Sequence, residues 1–267
     1  MVVFPNAKIN LGLNIISKRK DGYHELETCF YPVQWQEALE IIKARETQVA
    51  ITGINIPGYG DNIVFKAYNL LKTAFKLPPV QIHLHKSIPI GAGLGGGSAD
   101  AAFTLSLLNK LFNLGLSDEE LMKYAVSLGA DCPYFIKNKP MLATGIGEKL
   151  TEINLFLTGK YIVLVYPDIH ISTKEAYDGI IPKKPAIGIR YILEDKEITE
   201  WKHFLKNDFE DALFETYTVL REIKQQLYEC GAVYASMSGS GSCMYGIFEE
   251  SPKINFPDAY RIWTGNL

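Results

Sequence analysis

Hydrophobic and polar positions alternate through the first part of the chain. Ile9, Leu11 and Leu13 are spaced by Asn10, Gly12 and Asn14, the two-residue period of extended backbone. Residues 18–22 (KRKDG) follow as a polar turn with an Asp-Gly pair, and strand-like stretches recur over 38–42 and 48–56. The spacing then changes. Ile63, Ala67, Leu70, Leu71 and Ala74 share one face of a helix predicted over 62–75, which Pro78 and Pro79 stop. Val80, Ile82 and Leu84 alternate with Gln81, His83 and His85, the period of a strand buried on one face. Ala101, Ala102, Leu105, Leu108 and Phe112 predict a helix over 98–113, with Gly115 as its stop. Ser117 and Glu120 form a capping-box pattern for a helix ending at Gly129. Asp131 then falls in the turn before Pro133, and Cys132, preceding a proline, is biased away from helix.

In the second half, residues 161–166 read as a strand. Val219, Leu220, Ile223 and Leu227 predict a helix over 218–230 that Gly231 stops, and MSGSGS (237–242) separates two short strand-like runs. Strands and helices mix without strict βαβ alternation, which predicts an α+β protein. The polar stretch GEKLTE suggests a boundary near residue 150, giving domains 1–150 and 151–267.

Composition narrows the class. With 267 residues, 47% hydrophobic and 21% charged, the chain has the balance of a globular protein of one large or two modest domains. A net charge of −3 argues against a nucleic-acid partner, which needs a basic surface. Cys29, Cys132, Cys230 and Cys243 are widely separated and form no CxxC pair, so neither a zinc site nor a disulfide framework is indicated, and a reducing cytoplasmic setting is expected. No apolar stretch approaches the roughly 20 residues of a membrane span, and the first residues lack the basic-then-apolar order of a signal peptide.

The segment PIGAGLGGGSADAA, residues 89–102, carries the chemistry. Gly91, Gly93, Gly95, Gly96 and Gly97 leave so little bulk that a phosphate can approach backbone amides, and Ser98 opens a helix whose dipole favours an anion. GAGLGG satisfies the dinucleotide fingerprint G-x-G-x-x-G, but the strand before it alternates instead of being continuously apolar. In a Walker A loop, Gly97 would have to be lysine, and the chain has no HRD or DFG motif of a protein kinase. A turn serving only close packing would not need five glycines in seven residues. The reading is a phosphate cradle.

These residues resemble the central motif of the GHMP kinases, the superfamily of galactokinase, homoserine kinase, mevalonate kinase and phosphomevalonate kinase. Phe4 to Leu11 (FPNAKINL) is similar to that family's first motif and MSGSGSCMYGIF, residues 237–248, to its third. RKDGYHELET (19–28), LGADCPYFI (128–136) and ISTKEAY (171–177) resemble the branch that phosphorylates a cytidine-diphosphate-linked methylerythritol in non-mevalonate isoprenoid synthesis. Similarity is weaker over 178–206. The resemblance implies a two-domain GHMP fold with the active site in the cleft between the domains, ATP and Mg2+ as cofactors, and phosphoryl transfer to the substrate's 2-hydroxyl. A GHMP kinase of homoserine or mevalonate, or a binding protein that keeps the fold without the chemistry, are the rival readings.

By the same resemblance, Asp131 would accept the hydroxyl proton with Lys8 beside it. Pro89, Ile90, Gly91, Ala92, Gly93, Leu94, Gly95, Gly96, Gly97, Ser98 and Ala99 would hold the nucleotide's phosphates. The Ser98 hydroxyl would contact magnesium or the β-phosphate, and Asn62 would lie near the base. Tyr23 and Tyr177 would stack on cytosine while His24 bonds its edge, with Asn10 and Thr173 also on the substrate side. Residues 238–241 would brace the phosphate loop. Asp100, in the first turn of its helix, is expected to serve the helix dipole. Cys132 is expected to be packing, and His83 and His85 a polar strand surface without metal.

Overall fold

A computed structural model describes residues 1–54 and 62–267. The chain runs β1 (Val2–Val3), β2 (Asn6–Lys18), β3 (His24–Gln36), β4 (Ala38–Lys43), β5 (Gln48–Gly53), α1 (Ile63–Phe75), β6 (Val80–Lys86) and α2 (Gly96–Phe112). It continues through α3 (Asp118–Val126), α4 (Cys132–Lys137), β7 (Met141–Gly145), β8 (Lys149–Glu152), β9 (Tyr161–Tyr166), α5 (Thr173–Asp178), α6 (Ile189–Asp195) and α7 (Trp201–Phe204). The last elements are α8 (Phe209–Thr216), α9 (Thr218–Glu229), β10 (Tyr234–Met237), β11 (Met244–Phe248) and β12 (Arg261–Asn266).

These elements form two compact units, neither continuous in sequence. One comprises Met1–Ala7, Trp35–Ile90 and Gly95–Lys139; the other comprises Lys8–Gln34, Gly91–Leu94 and Pro140–Leu267. Residue 150, where the sequence suggested a boundary, lies inside β8, paired with β7 in the second unit.

In the first unit, a four-stranded sheet has the order β1-β4-β6-β5. β5 and β6 are parallel, which requires a crossover, and α1 lies between them in sequence. β6 buries every second residue, as its alternation predicted. Leu39, Ile41, Val80, Ile82 and Leu84 form one core with Val64, Ala67, Tyr68 and Leu71 of α1 and Ala101, Leu105 and Leu108 of α2. The helix caps are local. Asn62 Oδ1 accepts the Val64 N–H at 2.9 Å to start α1, and Lys76 ends it in the left-handed region at φ 54°. The capping box of Ser117 and Glu120 is formed as expected. Of the strand expected over 48–56, Asn55 and Ile56 lie outside the described residues.

Three local expectations are corrected. α2 ends at the left-handed Asn113 (φ 51°), whose N–H returns to Asn109 and Lys110, so Gly115 is not the stop. α3 ends at Val126 instead of Gly129. Cys132 begins α4 despite preceding Pro133: the steric bias before a proline is a preference and not a bar, and a proline in the first turn sacrifices only an N–H that has no partner there.

The second unit holds two sheets, β2-β3-β7-β8 and the antiparallel β10-β11-β9-β12. Val163, Val165, Met237, Met244 and Phe248 pack under Phe209 and Leu213 of α8 and Leu220, Ile223 and Leu227 of α9. β9 has the expected bounds, and α9 runs as its spacing predicted, with Gly231 beyond it at φ 97°. The polar turn after β2 closes with Arg19 N–H on Tyr23 O at 2.8 Å. β2 departs from its pattern: every residue from Asn6 to Leu13 is buried, polar ones included. Buried polar side chains need internal partners.

Candidate active site

The glycine-rich segment divides between the units, Gly91–Leu94 in the second and Gly95 onward in the first. In the first unit, Gly95 caps α2 in the left-handed conformation (φ 72°), and the helix begins at Gly96, two residues before the expected Ser98. Its first internal bond is Ala99 N–H to Gly95 O at 2.9 Å. The N–H groups of Gly96, Gly97 and Ser98 therefore precede the helical ladder. Gly97 is exposed, with nothing within 4 Å of where a Cβ would stand. Ala99 is buried, as is Pro89, while Ile90 is 44% exposed.

Ser98 is half-buried, its hydroxyl 4.0 Å from the Cβ position of Gly129 in the turn before α4. Asp131 occupies the N-cap of α4 but does not cap it. Burial pushes the neighbouring Cys132 thiol up to about 11, against a Ser98 hydrogen bond that lowers it. Such a thiol is protonated at neutral pH and inert, as its packing role implies. Asn62, expected near the nucleotide base, is buried as the cap of α1.

Asp100 does not serve the helix dipole as expected. It lies beyond the first turn of α2, 1% exposed, with Oδ2 accepting from Lys86 Nζ at 2.7 Å. Burial, not the helix dipole, governs it and raises its pKa well above the usual carboxylate range, a shift that Lys86 opposes and Glu37 reinforces.

In the second unit, the Lys8 ammonium is 3% exposed and donates to Asn10 Oδ1 at 2.7 Å and Gly93 O at 2.9 Å, with the Phe30 ring 5.1 Å away. Asn10 Nδ2 donates to Thr28 Oγ1 at 3.0 Å, and Thr28 donates to Gly12 O at 2.5 Å. Asn10 thereby orients Lys8 from two residues along the same strand. Ser238 Oγ donates to Gly93 O at 2.8 Å and accepts from Asn10 N at 3.3 Å. Gly93 is left-handed at φ 78°, and a Cβ there would stand 1.8 Å from Ser238 O. Ala92 and Leu94 are buried, with Lys8 N–H on Leu94 O at 2.9 Å and Cys243 N–H on Ala92 O at 3.2 Å. Gly91 is exposed, and a Cβ on it would lie 2.8 Å from the His170 ring.

The aromatic residues separate. His24 stacks on Tyr177 with ring centroids 4.6 Å apart and 16° between planes, and the Phe209 ring meets Tyr177 edge-on at 4.9 Å. Burial, then the charge of Lys18, holds the His24 pKa below its ordinary value, favouring the neutral ring. Tyr23 stands 61% exposed. Thr173, also exposed, begins α5 one residue after its cap, Ser172. His83 and His85 line an exposed face of β6, with Thr52 Oγ1 3.0 Å from a ring nitrogen of each.

Two residues of NDFE (207–210) were not singled out by the sequence. Asn207, fully buried, donates to Met237 O and Gly239 O, each at 2.8 Å. Glu210 accepts from Met237 N–H and Ser236 Oγ at 2.8 Å and from Lys224 at 2.5 Å. Together they hold the glycine-serine segment of the third motif. The available signal was an Asn-Asp pair opening an amphipathic helix, a common capping pattern that does not point to a loop some thirty residues away.

Among the described residues, no helix is long and apolar enough to cross a membrane. Residues 62–139 match the family described as GHMP kinases N terminal domain, and 190–262 match GHMP kinases C terminal. The chain is 51% identical over 263 residues to a 4-diphosphocytidyl-2-C-methyl-D-erythritol kinase of Bacteroides fragilis, covering 97% of this chain and 96% of the relative. A kinase of the same name from Cytophaga hutchinsonii is 51% identical over 255 residues, covering 95% and 94%. A crystal structure of 4-(cytidine 5'-diphospho)-2C-methyl-D-erythritol kinase superposes with a TM-score of 0.83 at 30% identity, covering 99% of this chain and 98% of that one.

Proposed function

Because the chain belongs to the 4-diphosphocytidyl-2-C-methyl-D-erythritol kinase family of the GHMP kinases, it carries out ATP-dependent phosphorylation of that cytidylyl alcohol, and we propose that Lys8 and Asp131 are the residues that move the γ-phosphoryl group to the 2-hydroxyl.

Phosphoryl transfer needs alignment and charge stabilisation more than covalent help. Asp131 accepts the proton of the attacking hydroxyl. Lys8 offsets charge on the transferring group. The observation that carries this reading is the buried Lys8 ammonium, aimed by Asn10 at the carbonyl of Gly93 within the phosphate loop. A lysine so immobilised keeps its charge in one place, which a solvated surface lysine does not. The amides of Gly96, Gly97 and Ser98 bind the nucleotide's phosphates, with the rest of residues 89–99 shaping the cradle.

Mg2+ takes much of its coordination from phosphate and water and needs no closed protein cage. Among the described residues there is no cluster of three His, Cys, Asp or Glu to supply one. The half-exposed Ser98 hydroxyl fits as the protein's ligand to a magnesium ion carried by ATP, where the ion would neutralise phosphate charge. On the substrate side, the exposed ring of Tyr23 and the His24–Tyr177 stack suit a pyrimidine and Thr173 completes the set, while Asn10, buried between Lys8 and Thr28, acts through Lys8. The stretch 1–150 thus supplies the nucleotide's residues and 151–267 contributes Thr173 and Tyr177. We place the enzyme in the cytoplasm, where four cysteines without disulfide partners stay reduced.

The test is ADP release from MgATP with the diphosphocytidyl-methylerythritol alcohol, homoserine and mevalonate in parallel. Turnover with the cytidylyl alcohol alone, reduced at least a thousandfold in Asp131→Ala with a Tm within a few degrees of wild type, is the expected result. Full activity in that variant would remove Asp131 as the base.

A further inference from the structure

Three ionisable side chains are buried together in the first unit, where the reaction as described does not use them. Lys86 is 3% exposed, Glu37 2% and Asp100 1%. Lys86 Nζ donates to Glu37 Oε2 at 2.5 Å and to Asp100 Oδ2 at 2.7 Å. The other Glu37 oxygen, Oε1, accepts the N–H groups of Ser87 and Ile88 at 3.2 and 2.9 Å. Asp100 Oδ1 has no hydrogen-bond partner among the described residues. Such a group is expensive to desolvate and is not retained for packing alone.

Its position supplies a reason. A Cβ on Gly96, the first residue of α2, would stand 3.5 Å from Lys86 Nζ and 3.2 Å from Ile88. The cluster therefore lies directly beneath the helix start whose amides face the phosphates. Charges this close, screened by little water, act strongly on an anion at that helix start.

We infer that Glu37, Lys86 and Asp100 are positioning residues for nucleotide binding: Lys86 cancels the carboxylates beneath Gly96 so that the start of α2 meets the phosphates without negative charge behind it. The inference rests on the kinase reading, since it assumes phosphates at that helix start. Burial opposes the charge on Lys86, but Asp100 and Glu37 outweigh it and hold its pKa above the ordinary lysine value. The raised pKa of Asp100 leaves the cluster near neutrality when that carboxyl keeps its proton.

An electrostatic role and a packing role differ in the sign of what charge removal does. Lys86→Met removes the cation and keeps the bulk, leaving negative charge under Gly96. Glu37→Gln keeps Oε1 for the two N–H groups and removes a negative charge. Calorimetric titration of the full chain with MgADP, alongside steady-state KM values for ATP and for the alcohol, reads both changes. Lys86→Met is expected to weaken MgADP at least tenfold and raise the KM for ATP in step, with the alcohol KM within twofold. Adding Glu37→Gln to it is expected to recover at least threefold of that loss, and Glu37→Gln alone to tighten MgADP at least twofold. MgADP affinity in Lys86→Met within twofold of wild type, or a double variant no better than the single, would overturn the inference. If Lys86→Met does not fold, Glu37→Gln alone decides: tightening supports the electrostatic role, and unchanged or weaker binding overturns it. A wild-type chain that fails to bind MgADP would instead overturn the kinase reading itself.

Discussion

Two segments of this protein are built from glycine and serine, and they put that composition to opposite uses. In residues 91–98, Gly91 and Gly97 are exposed and the segment runs into a 17-residue helix whose first amides have no helical partner. In residues 237–242, Ser238 and Ser242 are fully buried. There the polar groups are already satisfied, Met237 N–H by Glu210, the carbonyls of Met237 and Gly239 by Asn207, and the Ser238 hydroxyl by Gly93 O. Small residues permit close approach in both. In the first the approach is left open, as the proposed phosphate contact requires; in the second, the space is filled by the protein's own backbone. Whether a Gly-Ser segment binds or braces depends on whether its donors are already spoken for.

Substitutions should separate the two kinds. The largest effect is expected where they meet. At Gly93 a Cβ would enter the Ser238 carbonyl at 1.8 Å from a left-handed backbone, so Gly93→Ala should cost more than about 4 kcal/mol or fail to fold. Chemical denaturation checks this, and a variant within 1 kcal/mol of wild type would refute the contact. Next is Glu210→Ala, which leaves the Met237 amide and Ser236 hydroxyl without their acceptor. A loss of about 3 kcal/mol is expected, with the KM for ATP of the folded enzyme little changed. Ser238→Ala removes two weaker bonds and should cost about 1 kcal/mol. Gly97→Ala reverses the pattern. Nothing obstructs a Cβ there, and helix propensity favours alanine by up to about 1 kcal/mol, so stability should hold or rise. Nucleotide affinity should fall roughly tenfold, about 1.4 kcal/mol, because the methyl group would stand where we propose that phosphate approaches. If Gly97→Ala lost stability and kept affinity, the open segment would be a brace as well.

Much of this was legible along the chain because it was local. The period of β6, the capping box at Ser117, the bounds of β9 and the span of α9 all depend on residues within a turn or a pleat of one another. Departures came where a local rule met a second one. Cys132 preceded a proline yet began a helix: the steric bias before a proline is only a preference, and a first turn asks nothing of that proline's missing N–H. Lys86 shares the phase of Val80, Ile82 and Leu84, so the alternation that revealed the strand already pointed its side chain inward. What the pattern could not give was a reason to bury a charge, since Glu37 lies 49 residues away and Asp100 14.

The sequence by itself determined the α+β composition, the run of glycines leading into a helix, and the family to which Lys8, Asp131 and the three motifs belong. Tertiary structure alone decided which polar residues are spent on one another. It turned Asn10 into the support of Lys8, Asp100 into a buried partner of Lys86, and Asn207 with Glu210 into the frame of a distant loop. The reason is physical. Periodicity and capping are set by neighbours in the chain, whereas a buried donor is satisfied by whichever acceptor the fold carries to it.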